Sequence, residues 1–249
     1  MIDIQNGLYV SDEFQLLIDI QISGGEFCAV LGPSGAGKTT LLSVIAGFED
    51  LQQGSLKLDG VDMAKFPPSR RPVSMVFQDD NSFSHLDVWT NVALGLVPSL
   101  KLDVDQMAIV DGALKQVGIW HLARKKPSEI SGGERQRIAL ARVLVRDKPI
   151  LLLDEAFAAL DPGLRKTMLD LVLQLQRFRN LTVLMVTHQP EDANYACSKV
   201  IFVGDGIVHS AVPTKEFFVS TEKSVTAYLG SPSTATTTAA AATRKSATT

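Results

Sequence analysis

A short stretch, GPSGAGKTT at residues 32–40, constrains this chain more than any other part of it. Gly32, Pro33, Ser34, Gly35, Ala36, Gly37, Lys38 and Thr39 fill the pattern G-x-x-x-x-G-K-[ST]. Glycines at these places let backbone N–H groups curl around phosphate oxygens without side-chain clashes, and a following helix adds the positive end of its dipole. Both flanks suit that geometry. EFCAVL before the loop is apolar and strand-like, and TTLLSVIAGF after it is helical, with Thr40 in its first turn and Gly47 as its stop. Lys38 is then placed to reach the β- and γ-phosphates, and the Thr39 hydroxyl to bind Mg²⁺.

A phosphate loop needs acids opposite it. The apolar run PILLL leads into Asp154 and Glu155, which puts two carboxylates at the rim of a sheet, where ligands of α/β folds bind. Asp154 is expected to hold the Mg²⁺ shell and Glu155 to polarise an attacking water. The chain has no guanine-reading Asn-Lys-x-Asp element, so ATP is expected rather than GTP.

The rest of the chain fits an α/β core with a helical insertion. Residues 1–31 form short strands punctuated by Ser23-Gly24-Gly25, and GSLKLDG and RPVSMVF add two more, the latter ending at Gln78. Helical spacing dominates residues 79–148, as in DQMAIVDGALKQVGI and ERQRIALARVLVRD. The core resumes with PILLLDE, a helix over 163–178, and the strands LTVLMVTH and KVIFVGDG. Buried apolar strands alternating with helices imply a largely parallel sheet covered on both faces. The expected domains are 1–230, holding the helical insertion, and a Ser/Thr/Ala-rich tail at 231–249 that lacks the apolar residues to order itself.

Bulk properties exclude some partners. A net charge of -3 leaves no broad basic footprint, which argues against nucleic acid. Two cysteines cannot build a disulfide framework, so a reducing cytoplasm is expected. The N-terminal stretch shows no basic run followed by an apolar one, so no secretory signal is expected. No apolar run approaches the ~20 residues that span a bilayer, so any membrane is met through a partner.

A second glycine turn remains to be explained. Ser131-Gly132-Gly133 precedes ERQRIALARVLV, where Ser131 with Glu134 also fits an ordinary capping box. Its place, twenty-three residues before Asp154 in a chain with a complete phosphate loop, gives it another meaning. Over about residues 1–230 the chain resembles the ATP-binding cassette (ABC) proteins, whose signature matches residues 130–134, with Ile and Glu in place of the common Leu and Gln.

The resemblance implies further roles. Tyr9 matches the adenine-stacking aromatic, Gln78 the glutamine that senses Mg²⁺ and the attacking water, His188 the γ-phosphate histidine, and Asp161 the acid of the following loop. It also implies a head-to-tail homodimer in which Ser131, Gly132, Gly133 and Glu134 serve the partner's nucleotide. Ala156 and Ala158 depart from the usual Pro and Ser, and loss of that hydroxyl costs about 1 kcal/mol of hydrogen bonding.

DDNSFSHLDVWTNVALGL resembles the segment with which bacterial importer ATPases form a groove for a permease helix, with Phe83 and His85 facing the groove and Trp89 in the lobe. The run from PPSRRPVSMVFQ through that segment to PSLKL looks like the ATP-binding subunit of thiamine importers. That likeness implies a peripheral subunit on the cytoplasmic face of the cell membrane, bound to a permease and served indirectly by a solute-binding protein. Other cargoes (a polyamine, ferric iron, an oxyanion), a non-transport ABC ATPase and a barely hydrolysing regulatory subunit are the competing readings.

Overall fold

The computed structural model describes residues 1–12, 14–77 and 82–230; Gln78, with 79–81, and the 231–249 tail lie outside the described residues. Strand β1 (Ile2–Ser11) buries Ile2 and Ile4, and β2 (Phe14–Ile22) buries Leu16, Ile18, Ile20 and Ile22 at every second position. That period of two puts one face of an antiparallel pair on a core. Strand β4 (Gln53–Leu58) pairs with β1 and turns at Asp59 and Gly60 into β5 (Val61–Asp62). Asp59 and Gly60 both sit at positive φ, 54° and 78°, as a two-residue hairpin turn requires.

A second set of strands is apolar almost continuously. β3 (Phe27–Leu31), β7 (Ile150–Asp154) and β8 (Thr182–Val186) are buried along their whole length. With β6 (Val73–Val76) and β9 (Lys199–Gly204) they lie parallel in the order β9-β3-β8-β7-β6. Both faces are covered, which is why no polar alternation shows. In β3, Phe27, Ala29 and Leu31 join one hydrophobic cluster while Cys28 and Val30 join another. The second cluster takes Leu41, Leu42 and Ile45 of helix α1 (Lys38–Ala46) together with the inner residues of β1 and β2.

Strand β10 (Ile207–Val208) joins the halves, parallel to β2 and antiparallel to β9, and β11 (Val212–Pro213) pairs with the start of β9 on the edge away from β3. The sheet is therefore mixed, an α/β phosphate-loop fold with an antiparallel N-terminal part.

Between β6 and β7 run α2 (Val88–Leu96), α3 (Val104–Gln116) and α4 (Gly132–Arg146), packed on one another. Each starts at a side-chain cap, Asp87, Asp103 and Ser131, that accepts a backbone N–H of the first turn. Trp89 packs against the core and donates its indole N–H to Asp111 at 2.7 Å.

Several boundaries differ from the sequence reading. The strand expected to end at Gln78 stops at Val76, and the helix expected over 163–178 runs over α5 (Pro162–Arg179). His188 lies beyond β8 in a loop, because Thr187 turns back to accept the Gln189 N–H at 3.0 Å. The short helices α6 (Pro190–Ala196), α7 (Thr214–Phe218) and α8 (Lys223–Leu229) were not separated in the sequence. Ring contacts of Phe202 with Phe217 and Tyr228 hold the last two.

Candidate active site

Lys38 opens α1, and Gly37 before it stands at φ 104°. A Cβ on Gly37 would also lie 2.8 Å from the Phe14 ring, so the position needs glycine for conformation and for space. The Lys38 ammonium donates to the carbonyls of Gly32 at 2.9 Å and Pro33 at 2.7 Å. Burial lowers the pKa of this amine, against the pull of Glu155 and Asp154. Its partners within reach are thus carbonyl dipoles of its own loop, and phosphate oxygens can replace them with full charge.

Asp154 closes β7, and the Thr39 hydroxyl donates to its Oδ1 at 3.0 Å. Burial raises the pKa of this carboxyl, and the Thr39 bond opposes the rise. The pair offers two hard oxygen donors. Among the described residues no three His, Cys, Asp or Glu side chains gather into a metal cage. That donor set suits Mg²⁺, which takes one or two protein oxygens and completes its shell with phosphates and water.

Glu155 adopts the left-handed region, φ 49°, and its N–H reaches Val186 O at 3.2 Å. A non-glycine residue there is uncommon and marks a place where surrounding structure dictates the backbone. His188 Nε2 lies 2.6 Å from Glu155 Oε1. Glu155 and His188 face one cleft with Ser34, Gly35, Gly37, Lys38, Thr39 and Thr40. Ala36 completes the loop, its N–H bonded to Pro33 O at 3.3 Å.

Tyr9 is only 7% exposed and belongs to the core cluster shared with α1, so it does not line the cleft. Phe14 borders the cleft instead, with Tyr9 packed behind it at 6.3 Å between ring centroids. The β1–β2 pairing explains the exchange: Ser11 opposes Phe14 across the hairpin, and Phe14 leads β2 past the phosphate loop. A second aromatic five residues after Tyr9 was the available signal.

Ser131 caps α4 through the reciprocal box anticipated above: its N–H donates to Glu134 Oε2 at 2.7 Å, and its Oγ accepts the Glu134 N–H at 3.4 Å. The Ser131 N–H and the Ser131 hydroxyl, which donates to the same Oε2 at 2.7 Å, hold the Glu134 carboxyl below its ordinary pKa. Gly133 is a packing requirement, since a Cβ there would meet Leu164 at 2.4 Å. Asp161 caps α5, accepting the Leu164 N–H at 3.0 Å. Neither Asp161 nor the turn from Ser131 to Glu134 borders the phosphate cleft of its own chain. Gln78 lies outside the described residues.

A second concavity runs between α4 and the end of β6, lined by Phe77, Phe83, Arg135, Gln136, Arg142 and Leu160 among others. Asn91, fully buried, organises its wall: its amide accepts from Phe83 N–H at 2.8 Å and donates to the carbonyls of Phe83, Leu86 and Asp87. His85 stacks edge-on to Phe83.

Comparison with known proteins bears on the family and the fold. The family model for the ABC transporter matches residues 17–158. The chain belongs to the ABC transporter family. The thiamine import ATP-binding protein ThiQ of Brucella suis is 51% identical over 204 residues, covering 82% of this chain and 85% of that protein. Two solved ABC structures share the fold. One is cbiO1 from Clostridium perfringens, part of the ABC transporter complex cbiONQ, with TM-score 0.78, 29% identity and coverage of 87% of this chain and 90% of that one. The other, the ATP-binding cassette MJ0796, is a dimer in a post-hydrolysis state with ADP and Pi, at TM-score 0.73 and 27% identity, covering 86% and 99%. This ABC chain is accordingly an ATP-binding ATPase, and none of its described helices is long and apolar enough to cross a membrane.

Proposed function

We propose that this protein is the ATP-hydrolysing subunit of a bacterial importer whose cargo is thiamine or its phosphates. It works as a homodimer on the cytoplasmic face of the cell membrane, bound to a permease that a solute-binding protein supplies. The observation that carries the enzymatic part is a single cleft lined by Lys38, Thr39, Glu155 and His188, with Asp154 behind it on the Thr39 hydroxyl. The cargo rests on the 51% identity to the thiamine import protein of Brucella suis.

ATP enters with its triphosphate along the N-terminus of α1, where the first-turn backbone N–H groups have no intrahelical partner. Lys38 exchanges the Gly32 and Pro33 carbonyls for β- and γ-phosphate oxygens. Thr39 and Asp154 would hold Mg²⁺, which would supply positive charge against the phosphates. Phe14 offers its ring to the adenine. Glu155 accepts a proton from the attacking water, and His188 fixes the carboxylate while reaching toward the γ-phosphate. Gln78 orients the same water.

Ser131, Gly132, Gly133 and Glu134, at the head of α4 and away from this cleft, close over the nucleotide of the second subunit, with Asp161 beside them. The γ-phosphate then binds two surfaces at once, and its removal loosens them, which converts bond cleavage into motion. The groove walled by Phe83 and Arg142 receives a permease helix and passes that motion on.

The test is uptake of labelled thiamine by cells of the source organism carrying the wild type or Lys38→Ala, with other thiamine routes removed. Selective loss of thiamine uptake is expected. Unchanged thiamine uptake with loss of a polyamine, iron or oxyanion would discard the cargo and keep the ATPase.

A further inference from the structure

Glu155 holds a backbone conformation that a glutamate rarely adopts, and its neighbours show what maintains it. On one side its N–H reaches Val186 O at 3.2 Å, and its carbonyl accepts the Ala158 N–H at 3.0 Å to close a turn. Between these, the carbonyl of Ala156 points toward α4 and accepts the side-chain amide of Gln136 at 2.6 Å. Ala156 is 4% exposed, so this carbonyl lies shielded from solvent. A carbonyl accepts only, which fixes Nε2 of Gln136 as the atom facing it. Gln136 stands one turn into α4, and it also lines the groove with Phe83, Arg135 and Arg142.

We propose that Gln136 is a positioning residue that fixes the Glu155 turn from the signature helix and so ties occupancy of the groove to the geometry of hydrolysis. The inference rests on the reading of Glu155 as the residue that handles the attacking water. Gln136 contacts neither nucleotide nor water in this scheme. It acts by holding the peptide that follows Glu155, so a shift of α4 under a docked helix displaces the Glu155 carboxylate. Nucleotide binding, which depends on α1 and Phe14, is left untouched.

The test uses the full chain with three substitutions, Gln136→Met, Gln136→Glu and Glu155→Gln. Methionine keeps the length and packing without the donor, and glutamate keeps the shape but is ionised and repels the Ala156 carbonyl. Both are expected to lower kcat for ATP by roughly five- to tenfold, the size of one lost buried hydrogen bond. KM for ATP and affinity for a fluorescent ADP analogue should stay within about twofold of wild type. The proposal is overturned if both Gln136 variants hydrolyse at the wild-type rate. It is equally overturned if kcat, ADP affinity and melting temperature fall together, since that is the pattern of a packing residue. A Glu155→Gln chain as fast as wild type would instead remove the site reading beneath it.

Discussion

His188 Nε2 and Glu155 Oε1 lie 2.6 Å apart, joining the loop after β8 to the rim of β7. The contact gives a glutamate with an unusual backbone a fixed side-chain direction as well. His188→Ala frees the carboxylate, and loss of a positioned acid–base partner costs about 10²-fold in rate. Steady-state ATPase assays should show that fall in kcat with little change in KM.

Asp154 couples stability to function with opposite signs. Burial raises its pKa above the ordinary 3.8, so the folded chain binds this proton more tightly than the unfolded one. The penalty of ionisation therefore begins as pH rises past 3.8 and is complete once pH exceeds the folded pKa. Asp154→Asn removes that penalty. Its melting temperature at pH 7.5 should exceed wild type, while Mg-dependent ATPase activity is lost. Equal or lower melting temperature for the variant would contradict the assignment of a strained, metal-ready carboxyl.

Tyr9 and Phe14 separate packing from recognition. Phe14→Ala removes a ring from the cleft and should raise KM for ATP about tenfold with only a small change in melting temperature. Tyr9→Ala opens a cavity in the core and should cost about 3 kcal/mol in denaturant unfolding. Reversal of the two effects would return the stacking role to Tyr9.

Ser131 is exposed, and its turn lies away from the cleft of its own chain. Ser131→Arg should leave binding of a fluorescent ATP analogue by the monomer intact yet abolish turnover. Placed in a Glu155→Gln background, it should also prevent the Mg-ATP dimer that Glu155→Gln alone forms on gel filtration. A dimer that survives the substitution would refute the shared-site arrangement.

Much of the fold was legible because its elements carry strong local signals. The phosphate loop, the run PILLLDE and the helix at Ser131 each combine a period with a punctuating residue, and they fold where those signals lie. The elements α6, α7, α8 and β11 were not, because they are short and held by distant partners: Phe202 with Phe217, or Val200 with Val212. Tyr9 and Phe14 were not told apart for a related reason. Two aromatics five residues apart, on either side of a hairpin, look equivalent in one dimension, and only the β1–β2 register decides which meets the cleft. Gln136 was invisible as more than a polar helix residue, since its partner Ala156 is twenty residues away.

Strand β3 contributes Phe27, Ala29 and Leu31 to one hydrophobic cluster and Cys28 and Val30 to the other. It is a partition with a separate packed body on each side, and it ends directly in Gly32. Close-packed interiors transmit strain instead of absorbing it. Any slippage of the helical side against the α1 side must shear this partition, and the strand carries it straight into the loop that grips the phosphates. The grip of that loop is thus set by the alignment of two cores that do not themselves touch the nucleotide.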